Sequence, residues 1–340
     1  MSEPDTIVLI PTTNRPRFLE TALASVASQT ARHRIMEVRV MENGGGRLSE
    51  EVCSRFSDRV PIRYIFRDPI LPVLAHARVL IEEAYPARYV AILHDDDWWT
   101  PEHLGASLGA LEGASTSACY SAFFNVVAES APVVWHDSLM FWMAGGYPPV
   151  TRDWMLDLAS VLVASLAGVP GHYSSLVAKA TAFRACADTL YLDNQFDTDR
   201  MLAVGLARYG KIVFRPVPSV FVREHAGQES CKYDDGKRAQ CLLRTTVWIF
   251  SMAKERRIDL IEEFRARLEA CPPEHRRVVF PQFSKPWLYL LLGRHPRMPR
   301  VLLDYWIELQ SRANGLQGKF FPSPGQSSPN RTEPLELNAV

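Results

Sequence analysis

Thr6-Ile7-Val8-Leu9-Ile10 is an unbroken apolar run, rich in β-branched residues, that ends at Pro11. A run of this length without polar alternation reads as a parallel strand buried on both faces. The pattern continues outward from it. Arg17 to Gln29 reads as a helix carrying Phe18, Leu19, Ala22, Leu23 and Val26 on one face. Glu37 to Met41 reads as a second strand, stopped by Asn43-Gly44-Gly45-Gly46. A short helix over Leu48 to Phe56, a third strand over Ile62 to Phe66, a helix over Leu74 to Ala84 and a fourth strand over Tyr89 to Leu93 follow. Strands alternating with helices at this spacing predict an α/β fold: a doubly wound, mostly parallel sheet flanked by helices. Ligands of such sheets bind beyond the carboxyl ends of the strands. Thr12-Thr13-Asn14-Arg15, Glu42-Asn43 and Asp95-Asp96-Asp97 occupy those ends.

Beyond Pro101 the pattern is less regular as far as Tyr191, with an aromatic-rich stretch from Trp135 to Trp154. Asp199 to Tyr209 reads as a helix, and Ile212 to Phe214 and Val220 to Val222 as two short strands. Residues 237–270 and Arg300 to Arg312 read as amphipathic helices, which predicts a helical C-terminal extension. The tail from Phe320, with four prolines among Ser, Gly and Asn, reads as disordered.

Composition narrows the function. The chain has 340 residues with 38 Lys+Arg against 38 Asp+Glu, a formal net charge of zero. No excess of cations is present to displace phosphate counterions, which argues against a nucleic-acid binder. Hydrophobic content of 47% argues against disorder over most of the length. The six cysteines are scattered, with no C-x-x-C pair, and read as free thiols in a reducing cytoplasm. The polar N-terminus and short first apolar run do not read as a secretory signal. Leu158 to Pro170, the longest weakly polar stretch, is shorter than the ~20 residues that cross a bilayer. Trp287-Leu-Tyr-Leu-Leu-Leu292 with Arg294, Arg297 and Arg300 reads either as apolar core with solvated arginines or as a peripheral contact with a membrane face.

The most informative segment is Ile92-Leu-His-Asp95-Asp96-Asp97-Trp98-Trp99. Three adjacent carboxylates after a buried strand repel unless they are solvated or share a cation. Hard oxygen ligands in such a place suit Mg2+ or Mn2+ bridging substrate phosphates. The competing reading is an acidic loop or helix cap before Thr100-Pro101.

The order of motifs favours the first reading. Ile10-Pro-Thr-Thr-Asn-Arg-Pro16 comes first, then Glu42-Asn43-Gly44, Ala77-Arg78 and the acidic triplet. Phe196-Asp-Thr-Asp199-Arg-Met-Leu202, Ala207-Arg-Tyr-Gly210 and Arg223-Glu-His225 follow. This ordered set resembles inverting family-two glycosyltransferases with the GT-A fold, over residues ~6 to ~226. The resemblance implies a GT-A nucleotide-sugar-binding and catalytic domain over 1–226, its acceptor-side portion at about 101–226. A helical region over 227–319 and a disordered tail over 320–340 would follow it.

The resemblance also implies roles. Pro11, Thr12, Thr13 and Arg15 would border the nucleotide, with Glu42 and Asn43 contacting base or ribose where the family commonly has two Asp. Arg78 and Arg223 would meet the diphosphate or the triplet. The family's Asp-x-Asp falls on Asp95 and Asp97: Asp97 would coordinate the metal, Asp95 the ribose or a metal-bound water, and Asp96 would stand between them. His225 would be a further metal ligand. Asp199 is the candidate general base, with Asp197 the competing assignment because the family's Glu-Asp is here Thr198-Asp199. An ordinary helix N-cap is the alternative reading of Asp199.

Trp98 and Trp99 are candidates for lining the acceptor side, whereas Trp135, Phe141, Trp142, Tyr147 and Trp154 read as core or as an acceptor platform. The whole implies a metal-dependent inverting transfer of a sugar from a nucleoside-diphosphate sugar to an acceptor hydroxyl. The competing functions are a sugar-nucleotide nucleotidyltransferase and an inactive sugar-nucleotide-binding scaffold. Oligomeric state has no sequence signal.

Overall fold

The computed structural model describes residues 3–113, 115–127, 133–135, 152–167, 171–191, 197–225, 227–228, 235–260, 262–263 and 266. The chain divides into two units, Met1–Arg294 and His295–Val340, and every described residue lies in the first. The arginine-flanked apolar segment at 287–300, the helix expected at 300–312 and the tail lie outside the described residues, as do Phe141, Trp142 and Tyr147.

The alternating first part forms as expected. Strand β1 (Thr6–Thr12) lies between β2 (Ile35–Asn43) and β4 (Tyr89–Ile92), and β3 (Ile62–Arg67) flanks β2; all three pairings are parallel. Ile7, Val8, Leu9 and Ile10 are fully buried, as a strand covered on both faces requires. Helix α1 (Pro16–Ala27) begins with its proline in the first turn, where a missing N–H costs nothing. It lays Leu19, Ala22, Leu23 and Val26 onto the sheet. Each large aliphatic side chain buried this way contributes about 1.5–3 kcal/mol. β2 ends where Gly44 and Gly45 take φ of +74° and +93°, a backbone that side chains with a Cβ rarely adopt. Helices α2 (Leu48–Phe56) and α3 (Val73–Glu82) complete this half.

The second half is a mixed extension of the same sheet. The order is β3-β2-β1-β4-β9-β6-β10-β5, with β7 on β6 and β8 on β10. Strand β5 is the Trp98–Trp99 pair, β6 spans Thr116–Val127, and β7 and β8 are Val133–Trp135 and Trp154–Leu156. Strand β9 (Val177–Lys179) runs antiparallel to both β4 and β6. The long β6 falls in the stretch that reads as irregular from sequence. It is buried from Thr116 to Ala122 despite its Ser and Thr, so it carries no hydrophobic alternation.

The two strands expected at 212–214 and 220–222 are one, β10 (Lys211–Glu224), parallel to β6. Its register shifts between Arg215 and Val220, where Pro216 and Pro218 have no N–H for the ladder. Helices α4 (His103–Leu111), α5 (Leu158–Ala167), α6 (Ala180–Ala185) and α7 (Thr198–Ala207) flank this half. Helix α8 (Asp235–Glu255) packs on α5; it begins two residues before the amphipathic segment expected over 237–270 and covers its first half. No helix among the described residues is long and apolar enough to cross a membrane.

Candidate active site

Five chain segments meet at the carboxyl end of β4. The acidic loop leaves β4 at Leu93 and returns as β5, which lies antiparallel to the end of β10. That pairing places Arg223 beside Asp97: the Arg223 backbone N–H donates to Asp97 Oδ1 at 3.0 Å, and Arg223 Nε donates to the Asp96 carbonyl at 3.1 Å. From the other side the β1–α1 loop contributes Thr12 and Arg15. The turn Tyr173–Ser175, just before β9, closes the back. The start of α7 supplies Asp197 and Asp199.

Arg15 dominates two of the three carboxylates. Its NH2 lies 2.7 Å from Asp95 Oδ1, its Nε donates to Asp95 Oδ2 at 3.1 Å, and its NH1 donates to Asp96 Oδ2 at 2.8 Å. Thr12 Oγ1 donates to Asp95 Oδ2 at 2.6 Å. Asp95 is fully buried; burial pushes its carboxyl up to about 7 against the pull of Arg15. Asp96 moves the other way. Burial opposes ionisation there too, but the His94 ring, Arg15 and the hydrogen bond with His225 hold it below the ordinary carboxylate range. His225 Nε2 lies 3.1 Å from Asp96 Oδ2, so the histidine expected near Asp97 is paired with its neighbour.

Asp97 has a different environment. Its Oδ2 accepts from Ser174 Oγ at 2.5 Å, and its Oδ1 takes the Arg223 N–H. Among the described residues no Lys or Arg forms an ion pair with it; the nearest basic atom is His172 Nδ1, 3.7 Å from Oδ2. Burial, reinforced by the Asp96 charge, pushes Asp97 up to about 8. His94 and His172 stand with it: one nitrogen of each ring and one Asp97 oxygen lie within 4.8 Å of one another. Burial lowers His94 to about 4 and also lowers His172, so both rings give up a proton more readily than an exposed imidazole. His94 stands beside the acidic triplet, but His172 lies in a stretch without a motif, and neither figures among the sequence candidates. Gly171 lets His172 approach: a Cβ there would sit 2.4 Å from the Tyr120 ring.

The other candidates fall into two groups. Pro11 is the penultimate residue of β1, and Thr13 Oγ1 donates to the Asn43 carbonyl at 3.3 Å. Glu42 is fully buried, accepting from Tyr64 OH at 2.5 Å and the Ser49 N–H at 3.2 Å, while its Oε1 has no hydrogen-bond partner. Asn43 bridges to the loop before α3 through both backbone groups of Leu71, at 2.8 and 2.9 Å. Arg78 lies half-buried on α3. Trp99 belongs to the core, only 2% exposed, with Nε1 donating to the Ser174 carbonyl at 2.6 Å. It has no face left for an acceptor. Trp98 is partly exposed, stacks on Phe221 at 5.0 Å and, with Phe18, lies within 5 Å of the Arg223 guanidinium.

The structure separates the two base candidates. Asp197 is the N-cap residue of α7, 3.3 Å from Arg200 Nε and hydrogen-bonded to Thr245 of α8. Asp199 sits in the first turn of α7, away from the cap position, with Thr198 Oγ1 at 3.4 Å. Burial raises its carboxyl to about 6, with His172 pulling it down and Asp197 pushing it up. A buried carboxylate poised near neutrality can accept a proton from a hydroxyl.

Residues 7–168 match the model of the family described as Glycosyl transferase family 2. No curated protein matches the chain. Among solved structures, S. aureus TarS 1-349 in complex with UDP-GlcNAc is 10% identical with a TM-score of 0.53, over 86% of this chain and 93% of that one. Mannosyltransferase PcManGT from Pyrobaculum calidifontis, in complex with GDP-Man and Mn2+, is 15% identical with a TM-score of 0.51, over 93% of this chain and 81% of that one. At these identities the likeness is one of fold.

Proposed function

We propose that this chain, whose residues 7–168 match the model of Glycosyl transferase family 2, is a glycosyltransferase that moves a sugar from a nucleoside-diphosphate sugar to an acceptor hydroxyl with inversion. The observation that carries this reading is the placing of two acidic stations on either side of one histidine. Asp95, Asp96 and Asp97 end β4, while Asp199 opens α7, and His172 lies electrostatically between Asp97 and Asp199.

A divalent cation fits the donors at the end of β4. Asp97 is a buried carboxylate without a Lys or Arg partner among the described residues, and the imidazoles of His94 and His172 stand beside it. Bound there, a divalent cation supplies positive charge against the oxygen of the departing diphosphate. The chain's own residues do the rest. Arg15 and Arg223 line the same corner as fixed cations. Asp199 takes the acceptor proton as the new bond forms. Attack from the face opposite the diphosphate inverts the anomeric centre and needs no covalent enzyme nucleophile. Glu42, with one buried oxygen unpartnered, fits a contact to base or ribose. Trp98, partly exposed at the same corner, offers the acceptor side an apolar edge.

The buried free thiols Cys53, Cys119 and Cys186 fit a reducing compartment, which supports a cytoplasmic enzyme. A donor-turnover assay on the full chain tests the function. Mn2+-stimulated release of nucleoside diphosphate from a panel of nucleotide sugars is expected. Pyrophosphate release would instead indicate nucleotidyl transfer, and donor binding without turnover a scaffold.

A further inference from the structure

The turn before β9 touches both acidic stations. Ser174 Oγ donates to Asp97 Oδ2, and Tyr173 is hydrogen-bonded to Thr198, the neighbour of Asp199. His172 opens that turn, and the charges of His172 and Asp199 act on each other. His172 Nδ1 accepts the Ser174 N–H at 3.3 Å, so its lone pair is taken and the ring hydrogen stands on Nε2. Among the described residues Nε2 forms no hydrogen bond, while 23% of the side chain stays open to solvent. The ring is held between His94, edge-on at 5.8 Å, and the half-buried Phe123 at 5.4 Å. A fixed N–H donor beside an aromatic ring, both partly open, suits a molecule that has hydroxyls on its rim and C–H groups on its face.

We infer that His172 selects an acceptor with an oxygen next to the attacking hydroxyl, as the vicinal diol of a sugar or polyol has, by donating Nε2–H to that neighbouring oxygen. The inference rests on the glycosyl-transfer reading above. In the transfer the attacking oxygen bonds to the anomeric carbon, and its proton passes to Asp199. The bond to the diphosphate breaks, and its electron pair leaves with the diphosphate. The attacking oxygen needs its lone pair for the carbon, so a hydrogen bond donated to it would weaken it. A donor on the adjacent oxygen instead orients the acceptor without that cost. An alcohol lacking the second oxygen leaves the His172 N–H unpaired, which is how a hydrogen-bonding site rejects an analogue.

The test sets two small probe acceptors against each other on the full chain, with the donor that the nucleotide-sugar panel identifies. Ethane-1,2-diol and propane-1,3-diol each carry a pair of equivalent primary hydroxyls, and only the first pair is vicinal. They compete at equal concentration, and the two glycosides are counted by mass spectrometry. The ratio is internal to each sample, so a loss of folded protein or weaker donor binding does not move it. The wild type should prefer the vicinal diol about five- to tenfold, the worth of one hydrogen bond. His172→Phe should bring the ratio to about one, and His172→Gln, which keeps an N–H donor, should restore part of it. A wild-type ratio of about one, or a ratio unchanged in His172→Phe, overturns the inference. Donor hydrolysis with neither glycoside formed also overturns it and leaves donor cleavage standing. No release of nucleoside diphosphate at all overturns the transfer reading, and this inference with it. Imidazole 15N spectra of the wild-type chain, assigned through His172→Gln, should show the Nε2–H form; the Nδ1–H form overturns the assignment whatever the turnover. If His172→Phe misfolds by circular dichroism, the wild-type ratio and these spectra decide.

Discussion

The backbone N–H of Arg223 donates to Asp97 Oδ1 at 3.0 Å, joining the end of β10 to the acidic end of β4. Asp97 is therefore oriented by main chain on one oxygen and by Ser174 on the other, and among the described residues no Lys or Arg pairs with it. Asp97→Asn keeps the shape and removes the charge. Donor affinity in the presence of Mn2+ should fall about tenfold or more, whereas affinity with the metal chelated should hold. Isothermal titration with and without chelator measures both; equal affinities in wild type and variant with Mn2+ would remove Asp97 from the cation site.

Asp199→Asn tests the base. Positioned proton acceptors contribute about 10²–10⁴-fold to rate, so transfer should fall by about that factor while donor binding stays near wild type. Asp197→Asn should lower stability through its broken pairing with Arg200 and Thr245, and spare the turnover of the folded fraction. The reverse pattern in single-turnover assays would exchange the two roles.

Asp199 also sets a pH dependence. Its carboxyl is raised to about 6, and the base must be ionised, so kcat/KM should rise with pH through about 6 and level off above it. The groups acting on it are His172, Asp197 and Thr198. For stability the sign is opposite. A raised carboxyl binds protons more tightly in the folded chain, so this group favours folding at low pH and loses that contribution as pH rises from about 4 to about 6. Asp199→Asn should flatten both profiles, as read by kinetics and by thermal melts.

Arg15→Met leaves Asp95 and Asp96 adjacent without their shared guanidinium. Breaking a buried pair costs about 3–5 kcal/mol; Arg15 keeps 30% of its side chain exposed, so roughly 2–4 kcal/mol is expected here. Arg15→Lys should recover only part, because a point charge cannot bridge both acids as the planar fork does. Urea unfolding of the metal-free chain measures the loss; an unchanged midpoint would show that the acids are neutral without Arg15.

The two tryptophans should separate. Trp99→Ala empties a core position and should cost about 3–5 kcal/mol. Trp98→Ala loses a partly exposed stack worth about 1 kcal/mol and should raise the acceptor KM at near-normal stability. A large stability loss at Trp98 with no change in KM would take it out of the acceptor side.

The parallel half of the fold was legible because it is written in local patterns. Thr6 to Ile10 has only apolar and β-branched residues, Pro16 starts a helix, and Gly44-Gly45 ends a strand; each signal lies within a few residues of its effect. The antiparallel additions were not legible. β6 is a buried strand with Ser and Thr inside it, and Pro216 and Pro218 make one strand look like two. Those strands are set by neighbours far away in the chain.

The same division runs through the site. By itself the sequence determined the triplet after β4, the acidic start of α7 and the order of motifs along the chain, because each is a property of adjacent residues. Only the tertiary structure decided how charge is shared among them. Arg15 crosses from β1 to neutralise Asp95 and Asp96, His225 reaches Asp96 from β10, and His172 arrives beside Asp97 from the turn before β9. Coulomb interactions and hydrogen bonds depend on separation in space, and three-dimensional packing alone brings such distant segments within a few ångströms.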